Sequence, residues 1–248
     1  MKESNIILKA ENLSLEIPLV NKLNQSLKRK FVRSITGGKI ARNNGLTVIK
    51  ALSKINLEIE KGERVGLIGH NGAGKSSFIK LASGIYEQTS GDLHCPVKAF
   101  PMLQKSFIVS DALTGIDEAK ARYLLINNNL KEFSFFLEDI KKFSGLGDYI
   151  ALPLRTYSSG MSARLIFSLL TYHAHKFLAL DEAIGTGDSA FYEKAEIRLE
   201  NYINNTGTVI IASHSKELLE KFCNRGIVFS EGTIIYDGKL QDALDFYD

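Results

Sequence analysis

Hydrophobic and polar positions alternate in two different ways along this chain. In the second half of residues 6–17, Leu13, Leu15 and Ile17 are separated by Ser14 and Glu16, the period of a strand with one buried face. Pro18 closes that strand. Residues 46–60 alternate again through Leu52, Ile55, Leu57 and Ile59, and Lys61-Gly62-Glu63 makes a turn. Four later runs do not alternate. Arg64–Ile68, Lys176–Leu180, Thr208–Ala212 and Gly226–Phe229 are short and almost wholly apolar, as strands are when a parallel sheet buries both their faces. Helical patterns lie between them, over Lys75–Ser83, Ser162–Tyr172, 189–204 and 215–223. Residues 112–150 are also mostly helical in pattern, with apolar clusters at Phe133, Phe135, Phe136 and Leu137. Short apolar strands separated by helices predict an α/β fold with a parallel sheet covered on both faces.

Composition narrows the class. A chain of 248 residues with 44% apolar and 24% charged residues is large enough for a substantial core and ordinary for a globular protein. No run approaches the roughly 18–20 apolar residues of a membrane-spanning helix. Met1-Lys2-Glu3-Ser4-Asn5 carries an acid and precedes no long apolar core, unlike a secretory leader. Cys95 and Cys223 are far apart and in no metal-ligand spacing, so they read as two reduced thiols.

Charge changes the picture more. The 31 basic and 28 acidic residues give a net charge of +3, but there is no acid between Glu16 and Glu58. That stretch holds nine bases: Lys22, Lys28, Arg29, Lys30, Arg33, Lys39, Arg42, Lys50 and Lys54. Without them, 22 bases face 28 acids, a net of −6. Asn21–Val32 reads as a helix with Leu23, Leu27 and Phe31 on one face and lysines on the other, and Gly37-Gly38 breaks it.

Candidate chemistry begins directly after the first apolar strand. Gly69-His70-Asn71-Gly72-Ala73-Gly74-Lys75-Ser76 matches G-x-x-x-x-G-K-[ST] between a strand and a helix, the context that motif requires. Glycines let the backbone N–H groups wrap around phosphate as an anion nest, and the helix N-terminus adds partial positive charge. Lys75 supplies a point charge to the β- and γ-phosphates, and the Ser76 hydroxyl can ligate Mg²⁺. Phe177-Leu178-Ala179-Leu180 ends in Asp181-Glu182, at the end of a buried strand where ligands of such sheets bind. Asp181 can hold Mg²⁺ through water, and Glu182 can serve as general base for an attacking water. Tyr157-Ser158-Ser159-Gly160-Met161 opens a helix, and Ser213-His214-Ser215 follows the third apolar strand.

Together these pieces resemble the ATP-binding subunit of ABC (ATP-binding cassette) transporters. Gly69–Ser76 looks like Walker A, continuing into Ser77. Phe177–Asp181 looks like Walker B, with Glu182 as the catalytic glutamate. Tyr157–Met161 is similar to the signature motif, where Ser158 and Gly160 keep the phosphate-contacting positions and Ser159 and Met161 depart from it. Gly187-Asp188 resembles the end of the D-loop. His214, 32 residues after Glu182, looks like the switch histidine, and Gln104 is the natural candidate for the Q-loop, a further ligand of Mg²⁺ and nucleotide. The family's adenine-stacking position falls on Ile17, leaving either an aliphatic platform there or a reach-in by Phe31.

The resemblance implies a P-loop ATPase with a RecA-like core, an N-terminal antiparallel β subdomain and a helical subdomain at about 105–172. Residues 1–248 would form a single ATP-binding domain, with a basic insertion at 18–46. It implies ATP and Mg²⁺ as ligands. The partners would be a second copy, head to tail, and a dimer of integral membrane permease subunits at the cytoplasmic face of the cell membrane. Tyr-Ser-Ser-Gly-Met-Ser-Ala-Arg-Leu, Asp-Glu-Ala-Ile-Gly-Thr-Gly-Asp-Ser-Ala-Phe, the Ala-Leu-Thr-Gly at 112–115 and the basic insertion are similar to exporters of O-antigen, capsule and teichoic acid. The cargo would then be a lipid-linked glycan. Other readings are an importer or drug-exporter subunit, and a soluble ABC protein acting on DNA or ribosomes. An acidic body without aromatic residues among its bases argues against nucleic acid.

The basic segment has two leading readings: a solvated lysine-rich connection, or a surface facing an anionic leaflet or a lipid pyrophosphate, where each base contributes about 1 kcal/mol. Neutralising Lys28, Arg29, Lys30 and Arg33 together is expected to reduce transport more than ATPase activity of the isolated subunit. Full transport by that variant would leave only the solvated connection.

Overall fold

A computed structural model describes residues 5–18, 39–43, 46–103, 110–181 and 189–248. The expected basic helix at 21–32, Phe31, Gln104, Glu182 and Asp188 lie outside the described residues. The chain forms two compact units. One comprises Met1–Leu103, His175–Ala183 and Thr206–Asp248; the other comprises Gln104–Ala174 and Ile184–Asn205.

The first unit contains two sheets. Strands β1 (Ile6–Pro18), β2 (Lys39–Asn43), β3 (Leu46–Glu60) and β5 (Ser90–His94) form an antiparallel sheet in the order β2-β3-β1-β5. Asn12 and Lys54 have positive φ at irregularities in the β1–β3 register. Asn12 N–H donates to Asn56 Oδ1 at 2.8 Å, and Lys54 N–H to Ser14 Oγ at 3.0 Å. A further register shift lies between Ile6 and Leu8, where Ile7 and Leu8 are both buried, so the first half of β1 does not alternate. β2 pairs with β3 from Lys39↔Lys50 to Asn43↔Leu46, so the tail of the expected insertion belongs to the sheet.

The second sheet runs β10-β9-β4-β8-β7-β6, with β4 at Arg64–Ile68, β6 at Phe100–Leu103 and β7 at Phe177–Asp181. β8 is Thr208–Ala212, β9 Arg225–Ser230 and β10 Thr233–Lys239. All are parallel except the edge strand β10. Val209, Ile210, Leu178, Ala179 and Val65 are fully buried, the two-sided burial that their unbroken apolar runs predict. Helix α1 (Lys75–Ala82) places Phe78 and Ile79 against Leu8, Leu52, Ile59, Leu67 and Phe229, so one core joins both sheets. The Phe78 and Phe229 rings are 5.7 Å apart.

The second unit is helical: α2 (Gly115–Asn127), α3 (Phe133–Ser144), α4 (Ser159–Leu170) and α5 (Ser189–Asn204). The expected long helical stretch is two helices. Thr114 and Asp117 form a reciprocal capping box that starts α2, and Asn128, at φ 54°, ends it. Phe136 is fully buried with Ile140, Ala119 and Leu165, while Phe135, one residue earlier, is 67% exposed, as helical periodicity requires. The first unit ends with α6 (Lys216–Phe222) and α7 (Leu240–Tyr247). Among the described residues no helix is long and apolar enough to cross a membrane.

Candidate functional site

Sheet register brings the separate sequence motifs into one row. Leu103 pairs with Asp181, Asp181 with Ala212 and Ala212 with Leu67. The chain therefore leaves four neighbouring parallel strands at the same level, and the next residues are Gln104, Glu182, Ser213-His214 and Ile68-Gly69. That is the carboxyl edge of the strands, where open α/β sheets bind ligands.

The loop at Gly69–Gly74 lies directly on its supporting backbone. Gly69 has φ +144°, and a Cβ there would sit 2.4 Å from the Phe229 carbonyl oxygen. A Cβ at Gly74 would meet Leu52 Cδ2 at 2.9 Å and the Ala51 carbonyl at 3.1 Å. Behind them stands the β9–β10 turn. Gly232 N–H donates to the Ala73 carbonyl at 2.9 Å, and Ser53 N–H donates to the Gly232 carbonyl at 2.8 Å. Gly232 itself has φ +80°, with a virtual Cβ 2.8 Å from the Ala51 carbonyl. This backing was missed in the sequence. Its only trace there is Glu231-Gly232 between two apolar runs, a turn signal.

Charged and polar groups converge above that floor. Lys75 is 7% exposed, and its ammonium donates to the Gly69 carbonyl and, at 3.2 Å, to the His70 carbonyl. The exposed Ser76 hydroxyl donates to Asp181 Oδ1 at 3.0 Å. His214 Nε2 lies 2.7 Å from Asn71 Oδ1, joining the loop after β8 to the Gly69–Gly74 loop. His70 Nδ1 is 2.9 Å from the Asn71 carbonyl oxygen. Gly74 is the N-cap of α1, and no side chain caps that end, so its first N–H groups are available to an anion. Ala73 is buried, and Gly72 and Ser77 are half-buried in the same turn.

Ile17 is half-buried, pairs with Ile49 and packs against the core of the first unit. Ser158, Ser159, Gly160 and Met161 belong to the helical unit and Lys75 to the other. Ser158 caps α4, its Oγ accepting from Met161 N–H at 3.2 Å. Tyr157 Oη donates to the Tyr149 carbonyl at 2.8 Å and anchors the turn from below. Among the described residues, a Cβ at Gly160 would meet only Ser158 Oγ, at 3.9 Å, so they leave that position open.

A family model described as ABC transporter matches residues 52–185. The O-antigen export system ATP-binding protein RfbE of Yersinia enterocolitica is 37% identical over 231 residues, covering 93% of this chain and 96% of that protein. The O-antigen export system ATP-binding protein RfbB of Myxococcus xanthus is 31% identical over 90% of this chain, which spans half the length of that relative. A solved structure of the ATP-binding subunit of an ABC transporter superposes with a TM-score of 0.66 at 17% identity, covering 95% of this chain and 91% of that one; this likeness concerns the fold.

Gly232→Ala is expected to lower unfolding stability by about 1–3 kcal/mol from strain, with further loss from the close approach to Ala51, and to weaken nucleotide binding. Gly62→Ala is the control, because Gly62 also has positive φ but its Cβ would meet nothing within 4 Å among the described residues. Urea denaturation and ATP titration of both variants check this; equal effects would deny the β9–β10 turn its supporting role.

Proposed function

Because the chain belongs to the ABC transporter family, as an ATP-binding and ATP-hydrolysing domain, we propose that it powers export of a lipid-linked polysaccharide across the cytoplasmic membrane. The cargo class follows from the O-antigen export relatives and from the sequence around Ser158 and Asp188. On this reading the chain sits at the cytoplasmic face, docked on a dimer of membrane permease subunits. The observation that carries the mechanism is the row of strand ends that brings Lys75, the Ser76–Asp181 pair and the Asn71–His214 pair into one site.

Phosphoryl transfer is mostly positioning and charge neutralisation. The uncapped end of α1 and the Gly69–Gly74 backbone bind the phosphates, with Ile17 at the adenine position. Lys75 donates to the Gly69 and His70 carbonyls at the loop, and phosphate oxygens there would offer it charged acceptors. Mg²⁺ fits the donor set. Ser76 Oγ and Asp181 Oδ1 are hard oxygens 3.0 Å apart, and Mg²⁺ takes one or two protein oxygens plus phosphate and water. When bound, Mg²⁺ neutralises charge developing on the phosphates. Gln104 would join that site from the end of β6. Glu182 takes the proton of the attacking water, and His214, oriented through Asn71, holds the γ-phosphate.

Two copies arranged head to tail complete each site. Ser158 and Gly160 lie in a different unit from Lys75, and the open space around Gly160 suits close approach by a phosphate held on a second copy. Ser159, Met161 and Asp188 would line the same interface. ATP then joins the copies, and its hydrolysis separates them.

Lys75→Ala is expected to lower ATP affinity about 10–100-fold, the equivalent of a charged hydrogen bond worth roughly 1.5–3 kcal/mol, measured by calorimetric titration; unchanged affinity would remove the phosphate-loop assignment. Glu182→Gln is expected to bind ATP and remain dimeric on size-exclusion chromatography while hydrolysis falls about 10²–10⁴-fold. Normal steady-state turnover by that variant would take the base role from Glu182.

A further inference from the structure

The last turn of α4 has backbone carbonyls without intrahelical donors, as every helix end does, and the Arg198 guanidinium reaches that end. Thr171, the C-cap, donates from Oγ1 to the Phe167 carbonyl at 2.7 Å and from its N–H to the same oxygen at 3.1 Å. Arg198 of α5 donates from Nε to Thr171 Oγ1 at 2.8 Å and from Nη2 to the Ser168 carbonyl at 3.4 Å. The same Nη2 is 2.6 Å from Asp139 Oδ2 on α3, and the guanidinium carbon lies 4.1 Å from the Phe143 ring centroid. The Arg198 side chain is only 16% exposed. Around it, Phe143, Phe167 and Phe191 pack with centroids 5.3–6.1 Å apart. One planar fork thus ties α3, α4 and α5 together at the C-terminal end of α4, in a geometry a lysine cannot reproduce.

The opposite end of α4 is the Ser158–Met161 turn. Twelve residues make a lever of about 18 Å, so a tilt of about 3° at the clamped end carries the turn about 1 Å. Misplacement of that size costs about 10²-fold in rate when a reacting group must be positioned. We propose that Arg198 is a positioning residue for the Ser158–Met161 turn: by holding the far end of α4 against α3 and α5, it fixes the direction in which the helix presents Ser158 and Gly160 to phosphate. This rests on the reading of that turn as a phosphate contact. It adds a residue at the opposite end of α4 from the turn whose effect is on turnover, and it separates that effect from stability.

The test uses the full chain with Arg198→Ala, Arg198→Lys and Thr171→Val, assayed well below their melting midpoints. ATPase kcat and KM are measured beside ADP affinity, which depends on the unit containing Lys75. Arg198→Ala is expected to lose about 10–100-fold in kcat with ADP affinity unchanged. Arg198→Lys keeps a charge for Asp139 but not the fork, and should recover melting temperature more than turnover. If Arg198→Ala does not fold, Thr171→Val, which removes the acceptor of Nε, should still lower kcat with ADP affinity unchanged. Wild-type kcat in the folded Arg198 and Thr171 variants, with only a lower melting temperature, would overturn the proposal. Ser158→Arg separates the two levels. Full turnover in that variant sinks the phosphate reading of the turn, and the proposal with it. Loss of turnover there, with normal turnover in Arg198→Ala and Thr171→Val, sinks the positioning role alone.

Discussion

The close approach of the Gly69–Gly74 backbone to β3 and to the β9–β10 turn governs the rest of the molecule. Side chains at these glycines would collide with the carbonyls of Phe229 and Ala51, so the loop has no room to sink further. Its other side is then left for a ligand of the backbone N–H groups. The constraint extends outward through hydrogen bonds as well as through the apolar packing of Ala73, Leu52 and Phe229. Ala73 is tied to Gly232, and Gly232 to Ser53, so the loop, the hairpin and the antiparallel sheet share one backbone network. Such a network tolerates little displacement, because a buried carbonyl that loses its donor costs about 1–3 kcal/mol.

The far end of that hairpin is pinned differently. Arg225, at the start of β9, makes two 2.7 Å bonds to Asp237 across the strand pair, one of 2.8 Å to Glu63 and one of 3.0 Å to the Glu58 carbonyl. These bonds, that to Asp237 first, raise its affinity for the proton above the ordinary arginine value. Arg225 in the first unit and Arg198 in the second do the same physical work. Each spreads one planar charge over several secondary-structure elements, which fixes angles between them as well as distances. A site built for phosphoryl transfer depends on angles, because its catalysis is mostly alignment.

Legibility in the sequence followed the range of the interactions. The almost wholly apolar runs at Phe177–Leu180 and Thr208–Ala212 are strands buried on both faces, as their shortness favours over a helix. The glycine-rich turn between β4 and α1 was legible because its pattern is contained in eight successive residues. Where the pattern is polar, the sequence said little. β5, Ser-Gly-Asp-Leu-His, has one half-buried residue, Leu93, and four exposed ones, so no periodicity marked it. β10 lies at a sheet edge, where one side is free of the ladder and the hydrophobic signal weakens. Residues 112–150 read as one helical region because the break at Asn128 comes from a positive φ in a polar run, which apolar spacing does not register.

By itself, then, the sequence determined the fold class, the glycine-rich loop between β4 and α1, the order of the motifs and the imbalance of charge ahead of that loop. Each depends on residues near one another in the chain or on a period repeated along it. Tertiary structure decided what those residues meet. It set the register that levels Leu103, Asp181, Ala212 and Leu67, and so paired Ser76 with Asp181 across 105 positions and Asn71 with His214 across 143. It also put Arg198 at the end of the helix that Ser158 begins. These contacts close long loops, and which of the many possible closures forms is settled by the packing of whole sheets and helices against a common core. No local pattern encodes that choice.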